Sequence, residues 1–519
     1  MSWTGWFLFF LVVQVIHFAG TWKLYQIAGR KAWEAAVPVY NSVVLMKIIN
    51  RPWWWTILLF VPIVNLIMFP VVWVETLRSF GRNSTTDTVL VLLTLGLYIY
   101  YINYTQKVTH IKDRSLKPRT STGEWVSSIL FAVVAATIVH TYFMQPFTIP
   151  TSSLEKTLLV GDFLFVSKFH YGARTPMTPI AFPMVHDTIP VVKTKSYLSK
   201  PQIPYFRFPG FQDIKRNDIV VFNWPVDTVN AFQQYGDGKY YYKPIDKKSN
   251  YVKRCVGLPG DSLEVRDGYV FINGKQNELP DRAKLQFSYD VQVNSPLNPE
   301  MLYNRYDITD RYGFGNNTYR FGGISEESLK MLKNNPNVVN ISRFRNEKGV
   351  WDGGIFPNNQ NYPWNNDFFG PLYIPKKGAT VSITAETLPL YKRIIEVYEG
   401  SEIGINNKIT QSGTEVLLNG QPITDYTFKM DYYWMMGDNR NNSEDARTWG
   451  FVPFNHVVGK PVFVWMSWDS VNKKVRWERL FTTVGGSGKP VSYLMYFVIA
   501  VIGWFAFDFY RKRKKGVKK

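Results

Sequence analysis

Cysteine is almost missing from this chain: the 519 residues hold one, Cys255, so neither an intramolecular disulfide nor a cysteine-rich zinc site can form. Cysteine usage therefore says nothing about compartment, and topology has to supply it. Histidine is scarce too. The six, His17, His110, His140, His170, His186 and His456, include no His-x-x-x-His pair and no cluster of further ligands, which argues against metalloprotease chemistry. No internal repeat and no low-complexity linker is visible, so no solenoid or tethered array is expected. Acidic residues are outnumbered 40 to 60, a formal charge of +20. That excess could suggest nucleic acid, but a large block of it is the run 511–519, directly after an apolar segment. A cytoplasmic, lipid-facing anchor is the simpler reading, and no nucleic-acid partner is expected.

What is abundant points to a bilayer. Aromatic residues make up 16% of the chain, with 18 Trp, and many flank long apolar stretches, where amphipathic rings favour the membrane interface. The length exceeds what one hydrophobic core organises, so a membrane part and a water-soluble part are expected. Five stretches approach the ~20 residues that span the hydrocarbon layer as a helix: 5–20, 56–77, 88–104, 125–143 and 491–510. The first lacks the basic leader and small-x-small site of a cleaved signal peptide and reads as a retained anchor. Basic residues collect in 23–51, in 107–119 and after Tyr510, which places all three on the cytoplasmic side. The start of the chain then lies outside, and residues 144–489 are extracytoplasmic. Residues 31–50 are amphipathic and interrupted by Pro38, so a helix lying along the surface is expected there, with Trp53, Trp54 and Trp55 at the interface. Glu75 falls near a membrane edge and reads as interfacial.

From Phe163 onward the pattern changes to short β-branched and aromatic runs, such as 218–224 and 460–468, bounded by turn residues. Mainly antiparallel β structure is expected. Asp267-Gly268, Asn273-Gly274 and Asn419-Gly420 favour the positive φ angles of tight hairpins. Residues 325–333 are the clearest helical stretch of this part.

Three blocks carry chemistry. The first, just past the fourth apolar stretch, runs Gln145-Pro146-Phe147-Thr148-Ile149-Pro150-Thr151-Ser152-Ser153-Leu154-Glu155-Lys156-Thr157-Leu158, then Gly161-Asp162. A lone serine in a proline-bounded turn is usually a turn residue. The second, Tyr251-Val252-Lys253-Arg254-Cys255-Val256-Gly257-Leu258-Pro259-Gly260-Asp261, puts a lysine in an apolar strand. Burial would disfavour its ammonium and free a neutral amine, whereas the bland alternative is a head that snorkels to solvent. Side-chain alternation sends the adjacent Arg254 outward. The third, from Gly437-Asp438-Asn439-Arg440-Asn441-Asn442-Ser443-Glu444-Asp445-Ala446-Arg447 to Pro453, is a hydrogen-bonding loop whose hydroxyl could orient an amine.

In this order the blocks resemble the boxes of the type I signal peptidase family, which removes signal peptides from exported preproteins; residues 218–222 resemble its intermediate strand. The likeness covers about residues 145–466, interrupted by long inserts. It implies a Ser-Lys dyad, with Ser153 as nucleophile, Lys253 as general base and Ser443 as the hydroxyl orienting the lysine. Thr151, with the Ser153 backbone N–H, would form the oxyanion hole, and Asp445 with Arg447 a supporting ion pair. The chain departs from the pattern with Thr151 for Ser, Ser152 for Gly, Leu154 for Met and Lys156 for Pro. No cofactor and no metal are implied. A signal peptide would add as a strand beside 147–151 and 251–253, with small side chains at −1 and −3 entering pockets lined by Phe147, Ile149, Pro150, Leu158, Tyr251 and Val252.

The fold class expected is a multi-pass membrane protein with a mainly antiparallel β, signal-peptidase or LexA-like catalytic domain outside and a β-rich second domain inserted in it. The divisions are an N-terminal membrane domain with about three crossings (1–104), a basic cytoplasmic loop (105–123), a crossing (124–143), the catalytic domain (144–261 and 432–480), the insert (262–431), a final crossing (490–510) and a basic tail (511–519). The location implied is the cytoplasmic membrane, with the active site on the periplasmic side. Signal peptides, the bilayer and the export machinery are the implied partners. Two rivals remain: a Ser-His mechanism through an outer histidine such as His170, and a catalytically inactive protein that binds signal peptides through the same fold.

Overall fold

The structure, a computed structural model, describes residues 1–118, 120–229, 239–313, 315 and 317–516. Residues 119, 230–238, 314, 316 and 517–519, which fall in the expected cytoplasmic loop, catalytic domain, insert and basic tail, lie outside the described residues. The chain forms two compact units, one of Met1–Phe143, Arg174–Phe208 and Tyr242–Lys247, the other of Met144–Ala173, Pro209–Tyr241 and Lys248–Lys519.

The first unit is helical: α1 Trp3–Ile27, α2 Tyr40–Ile48, α3 Trp55–Leu58, α4 Val64–Ser79, α5 Thr85–Leu93, α6 Tyr98–Thr105 and α7 Ser121–Ile138. Among the described residues three helices are long and apolar enough to cross a membrane, Trp3–Ile27, Ser121–Phe143 and, in the second unit, Leu494–Lys514. The stretches 56–77 and 88–104, expected as single crossings, are each broken. Pro62, which has no N–H to continue a helix, precedes Ile63 at φ 70°, and this separates α3 from α4. Between α5 and α6 the chain bends by 120°, because Leu95 and Gly96 take φ 51° and 89°. The Gly96 N–H closes the end of α5 by donating to Val91 O at 2.8 Å. A Cβ at Gly96 would lie 2.7 Å from the Trp73 ring, so this break requires glycine. Residues 31–50 are likewise interrupted after Pro38, at Val39 (φ 67°). Glu75 is buried and paired with Arg51 at 2.9 Å, with Arg114, and with Arg78 at 3.6 Å.

The second unit is built on an antiparallel sheet: β1 Met144–Thr148, β2 Asp162–Ser167, β3 Ile219–Asn223, β4 Asn250–Gly257, β5 Tyr432–Met436, β6 Val452–Pro453 and β7 Val457–Asp469, in the order β1-β2-β7-β3-β4-β5-β6. The long β7 pairs with β3 through its first residues and with β2 through its later ones, with bulges at both junctions. Every residue of β3 is buried. Ile219 and Val221 pack into one apolar cluster and Val220 and Phe222 into another, as period-two alternation in a strand covered on both faces requires. The three expected hairpin dipeptides take positive φ at both residues. Ser325 caps the helix Glu326–Lys333 by accepting from Ser328 N, as its sequence indicates.

Among the described residues, 262–431 hold four smaller sheets. One, of Val338–Arg343, Gln286–Val293, Thr318–Ser325 and Arg311–Gly313, encloses its own core around Phe321, Leu302 and Leu332. Side chains of the others, including Leu263, Phe369, Val416 and Tyr426, pack into one cluster with Trp434 and Phe451.

Candidate active site

Among the described residues β1 pairs only with β2, and the chain leaves it through Ile149, whose N–H donates to Asp162 O at 2.9 Å, into a 3-10 turn at Ser152–Leu154. This turn, rather than a strand, presents Ser153, which is buried. Ser152, standing where the family pattern has glycine, sits in the turn without a positive φ. The left-handed residue is Lys156, at φ 69°, a value proline cannot adopt. The Lys156 side chain is buried and reaches Asp307 Oδ1 at 2.7 Å.

The turn is held from the third block and from residues 262–431. Asn439 N donates to Ser153 O at 3.1 Å, and Asn442 Nδ2 donates to Ser152 Oγ at 3.0 Å and to Asp310 Oδ2 at 2.8 Å. Gln286 Nε2 donates to Glu155 O. Burial pushes the Glu155 carboxyl up to about 7, against the opposing charge of Lys156.

Lys253, on β4, is 3% exposed, and its Nζ lies 2.5 Å from Ser153 Oγ. Burial lowers its pKa to about 8, although Asp445 and Glu444 act to raise it. An amine so placed is neutral in about a tenth of molecules at pH 7 and in about half at pH 8, and in that form it can accept the serine proton. Nζ also lies 5.5 Å from the Tyr251 ring centroid. His170 is engaged elsewhere, its Nδ1 lying 2.5 Å from Ser167 Oγ.

Arg254 is the correction that alternation alone could not supply. Register pairs Val220 with Lys253 and Ile219 with Arg254, so the two cations occupy opposite faces of β4. Both faces are covered, and Arg254 is 2% exposed rather than outward. Its guanidinium forms a two-pronged pair with Asp438, at 2.7 and 2.6 Å, and Thr157 Oγ1 donates to the same carboxylate at 2.7 Å.

Asp445 and Arg447 are likewise buried and two-pronged, at 2.9 and 2.8 Å. Burial would raise the Asp445 carboxyl, but Arg447 and the Gly437 N–H hold it below its usual range. Ser443 does not make its expected bond: its Oγ is buried and has no hydrogen-bond partner among the described residues. It packs over Gly437, where a Cβ would meet Ser443 Oγ at 2.2 Å and Ser153 O at 2.6 Å.

A cleft of about 220 Å³ opens beside the dyad, lined by Phe147, Ile149, Pro150, Thr151, Tyr251 and Val252 together with Thr148, Asn250, Asn442 and Glu444. Thr151 is exposed beside Ser153, within this lining. Leu158 is not part of the lining. Its N–H donates to Leu154 O at 2.8 Å, which folds it beneath the turn into the apolar cluster with Leu164. Among the described residues β5 pairs with β4 only along Arg254–Gly257 and no strand pairs with the outer edge of β1, so Val252, Lys253 and β1 border the cleft with edges that no neighbouring strand takes up. Two open edges flanking a cleft can take up an extended peptide by backbone hydrogen bonds.

Sequence reasoning missed Gln286, Asp310 and the Arg254–Asp438 pair. Asn439, Asn442 and Glu444 lay in the third block without an assigned role. Gln286 and Asp310 carried no local signal, since their partners are more than a hundred residues away.

Comparison with known proteins bears on the same residues. A family model described as signal peptidase, peptidase S26, matches residues 122–367 and 373–468. Another, a family of unknown function (DUF5684), matches residues 33–113. The chain is 25% identical over 344 residues to signal peptidase I of Buchnera aphidicola subsp. Schizaphis graminum, covering 66% of this chain and 75% of that protein. It is 26% identical over 382 residues to signal peptidase I of Helicobacter pylori, covering 71% and 94%. To signal peptidase I of Rickettsia felis it is 24% identical over 358 residues, covering 68% and 84%. The match runs from the start of α7 to the end of β7 and takes in the serine turn, the lysine strand and the loop that holds them, so the chain belongs to the signal peptidase family, peptidase S26.

Proposed function

We propose that this protein is a membrane-bound serine endopeptidase that cleaves N-terminal signal peptides from exported preproteins through Ser153 and Lys253. The observation that carries this reading is the 2.5 Å approach of a buried amine to a buried serine hydroxyl beside an open-edged cleft. The neutral Lys253 amine takes the Ser153 proton as Oγ attacks the scissile carbonyl. The oxyanion is held by the Thr151 hydroxyl and the Ser153 N–H. Collapse expels the amine of the mature protein, which takes the proton from Lys253; a water, deprotonated by the same amine, then hydrolyses the acyl-enzyme. Asp445 and Arg447 hold the third block against the dyad, and Phe147, Ile149, Pro150, Tyr251 and Val252 supply the side-chain pockets.

In this reading α1, α7 and the terminal helix span the cytoplasmic membrane, and residues 144–489 lie outside it. Three spans keep the parity of the five expected from sequence. The joint hold of Glu75 on Arg51 and Arg114, from two loops both assigned to the cytoplasm, supports it. Residues 262–431 are an insert that braces the serine turn through Gln286 and Asp310. The export machinery is the neighbour that delivers substrate. An inactive peptide-binding protein is the less favoured alternative, since binding alone has no use for an amine buried against a hydroxyl.

The test is incubation of the purified protein with a model preprotein and mapping of the cut by mass spectrometry. A single cut after a small residue is expected. Ser153→Ala and Lys253→Arg should each lower the rate by at least about 10⁴-fold, arginine being unable to shed its proton. Full activity in either variant would sink the dyad.

A further inference from the structure

Residues 174–208, between β2 and β3, form a longer excursion than joining two strands requires. Its middle is an irregular hairpin. Ala181 bridges Tyr197 and Thr188 bridges Lys195, and Leu198 N donates to Ile180 O at 3.0 Å. The tip is closed by Ile189 N to Thr194 O at 2.9 Å and by Lys193 N to Ile189 O at 2.9 Å. Hairpin tips ordinarily carry Gly, Asn or Asp. This one carries Pro190-Val191-Val192, with Val191 89% and Val192 59% exposed. Phe182 and Leu198, farther down, are also more than half exposed, and Lys193 stands exposed beside the valines.

Among its contacts within its own unit, two reach the apolar helices α1 and α7. Trp6 Nε1, in the first turns of α1, donates to Gln202 O at 2.9 Å. Phe208 packs edge-on against Tyr142, at 6.3 Å, in the turn Val139–Phe143 that ends α7. A segment that touches the start of one span and the end of another lies at the level where both leave the bilayer. Exposed aromatic rings such as Phe206 and Phe208 are suited to that level, and an apolar tip flanked by lysine matches a leaflet of acyl chains beneath phosphates.

We propose that the hairpin 180–198 is a lipid anchor whose Pro190-Val191-Val192 tip enters the outer leaflet of the phospholipid bilayer. The proposal rests on the reading of α1 and α7 as spans. Because Cys255 is fully buried, single cysteines can carry an environment-sensitive fluorophore on the full-length chain, reconstituted at one copy per vesicle in phosphatidylethanolamine and phosphatidylglycerol. Three sites are compared: Val191→Cys at the tip, Phe131→Cys on the exposed face of α7, and Thr410→Cys on an exposed strand of the second unit. The expected result is quenching of the Val191 and Phe131 probes by nitroxide lipids, with iodide quenching several-fold weaker than at Thr410. A Val191 probe quenched by iodide like Thr410, while Phe131 stays lipid-quenched, overturns the anchor alone. Loss of lipid quenching at Phe131 overturns the spanning reading and the anchor with it. Iodide protection at Val191 that appears only at several copies per vesicle assigns the tip to a protein contact and also overturns the proposal.

Discussion

On one face of β4 Lys253 is buried beside a hydroxyl, and on the other, one residue along, Arg254 is buried against a carboxylate. The two cations are equally withdrawn from water, at 3% and 2% exposure. Arg254 has its full complement: both prongs of its guanidinium meet Asp438, and a further N–H reaches Asn217 O at 2.9 Å. Lys253 has no ion-pair partner among the described residues, and its nearest carboxylates act only through space. A strand can thus hold a charge in place on one side and drive a charge off on the other. Which happens depends on whether a carboxylate is packed within reach. The chemistry suits each residue, since a guanidinium does not deprotonate in proteins whereas an ammonium does when desolvated.

The comparison can be broken most forcefully at Asp438. Asp438→Ala leaves Arg254 buried and unpaired, and thermal or denaturant unfolding should show a loss of about 3–5 kcal/mol; a loss near zero would mean that water reaches the guanidinium. Lys253→Met should act in the opposite direction. Below about pH 8 the folded state holds a buried ammonium, whereas the unfolded chain releases its proton only near 10.5. The methionine variant should therefore be more stable at pH 7, by on the order of 3 kcal/mol. Between pH 8 and 10.5 the native amine is already neutral while the unfolded one still carries its proton, so native stability rises with pH and the advantage of methionine fades. Melting curves at pH 7 and pH 10 measure the difference, and an advantage that grew with pH would contradict a desolvated amine.

The smallest effect sharpens the lysine side. Activity should rise with pH along a limb near 8, as the Lys253 ammonium loses its proton. Glu444, on the cleft wall and hydrogen-bonded to the Tyr251 hydroxyl at 3.2 Å, favours that ammonium. Glu444→Gln should move the limb to lower pH, by less than about one pH unit because solvent screens an exposed carboxylate. A limb that moved upward would show that Glu444 acts otherwise than by its charge.

Much of the site was legible because its reacting groups sit in short contiguous blocks, each with its turn residues beside it. Ser153 and Lys253 could be named on that ground, and the Asn-Gly and Asp-Gly hairpins follow from the φ angles those dipeptides allow. Two of the five expected crossings are broken for reasons equally local: Pro62 and Gly96 lie within the apolar stretches and interrupt helices that hydropathy alone makes continuous. Leu158 and Arg254 were misplaced for another reason. Alternation and proximity in sequence say which way a side chain leaves the backbone, not what covers it when it gets there. The bond expected of Ser443 fails similarly, because its position over Gly437 is set by how the third block folds back on the serine turn.

The order of residues by itself determined where apolar helices and tight turns can form, and which hydroxyl and which amine are available, since these depend on neighbours a few positions apart. Tertiary structure alone decided that the amine at 253 is dry enough to lose its proton and that the guanidinium at 254 finds Asp438, 184 residues away. Desolvation and ion pairing are properties of whatever distant segments pack around a group, and no local stretch of chain contains them.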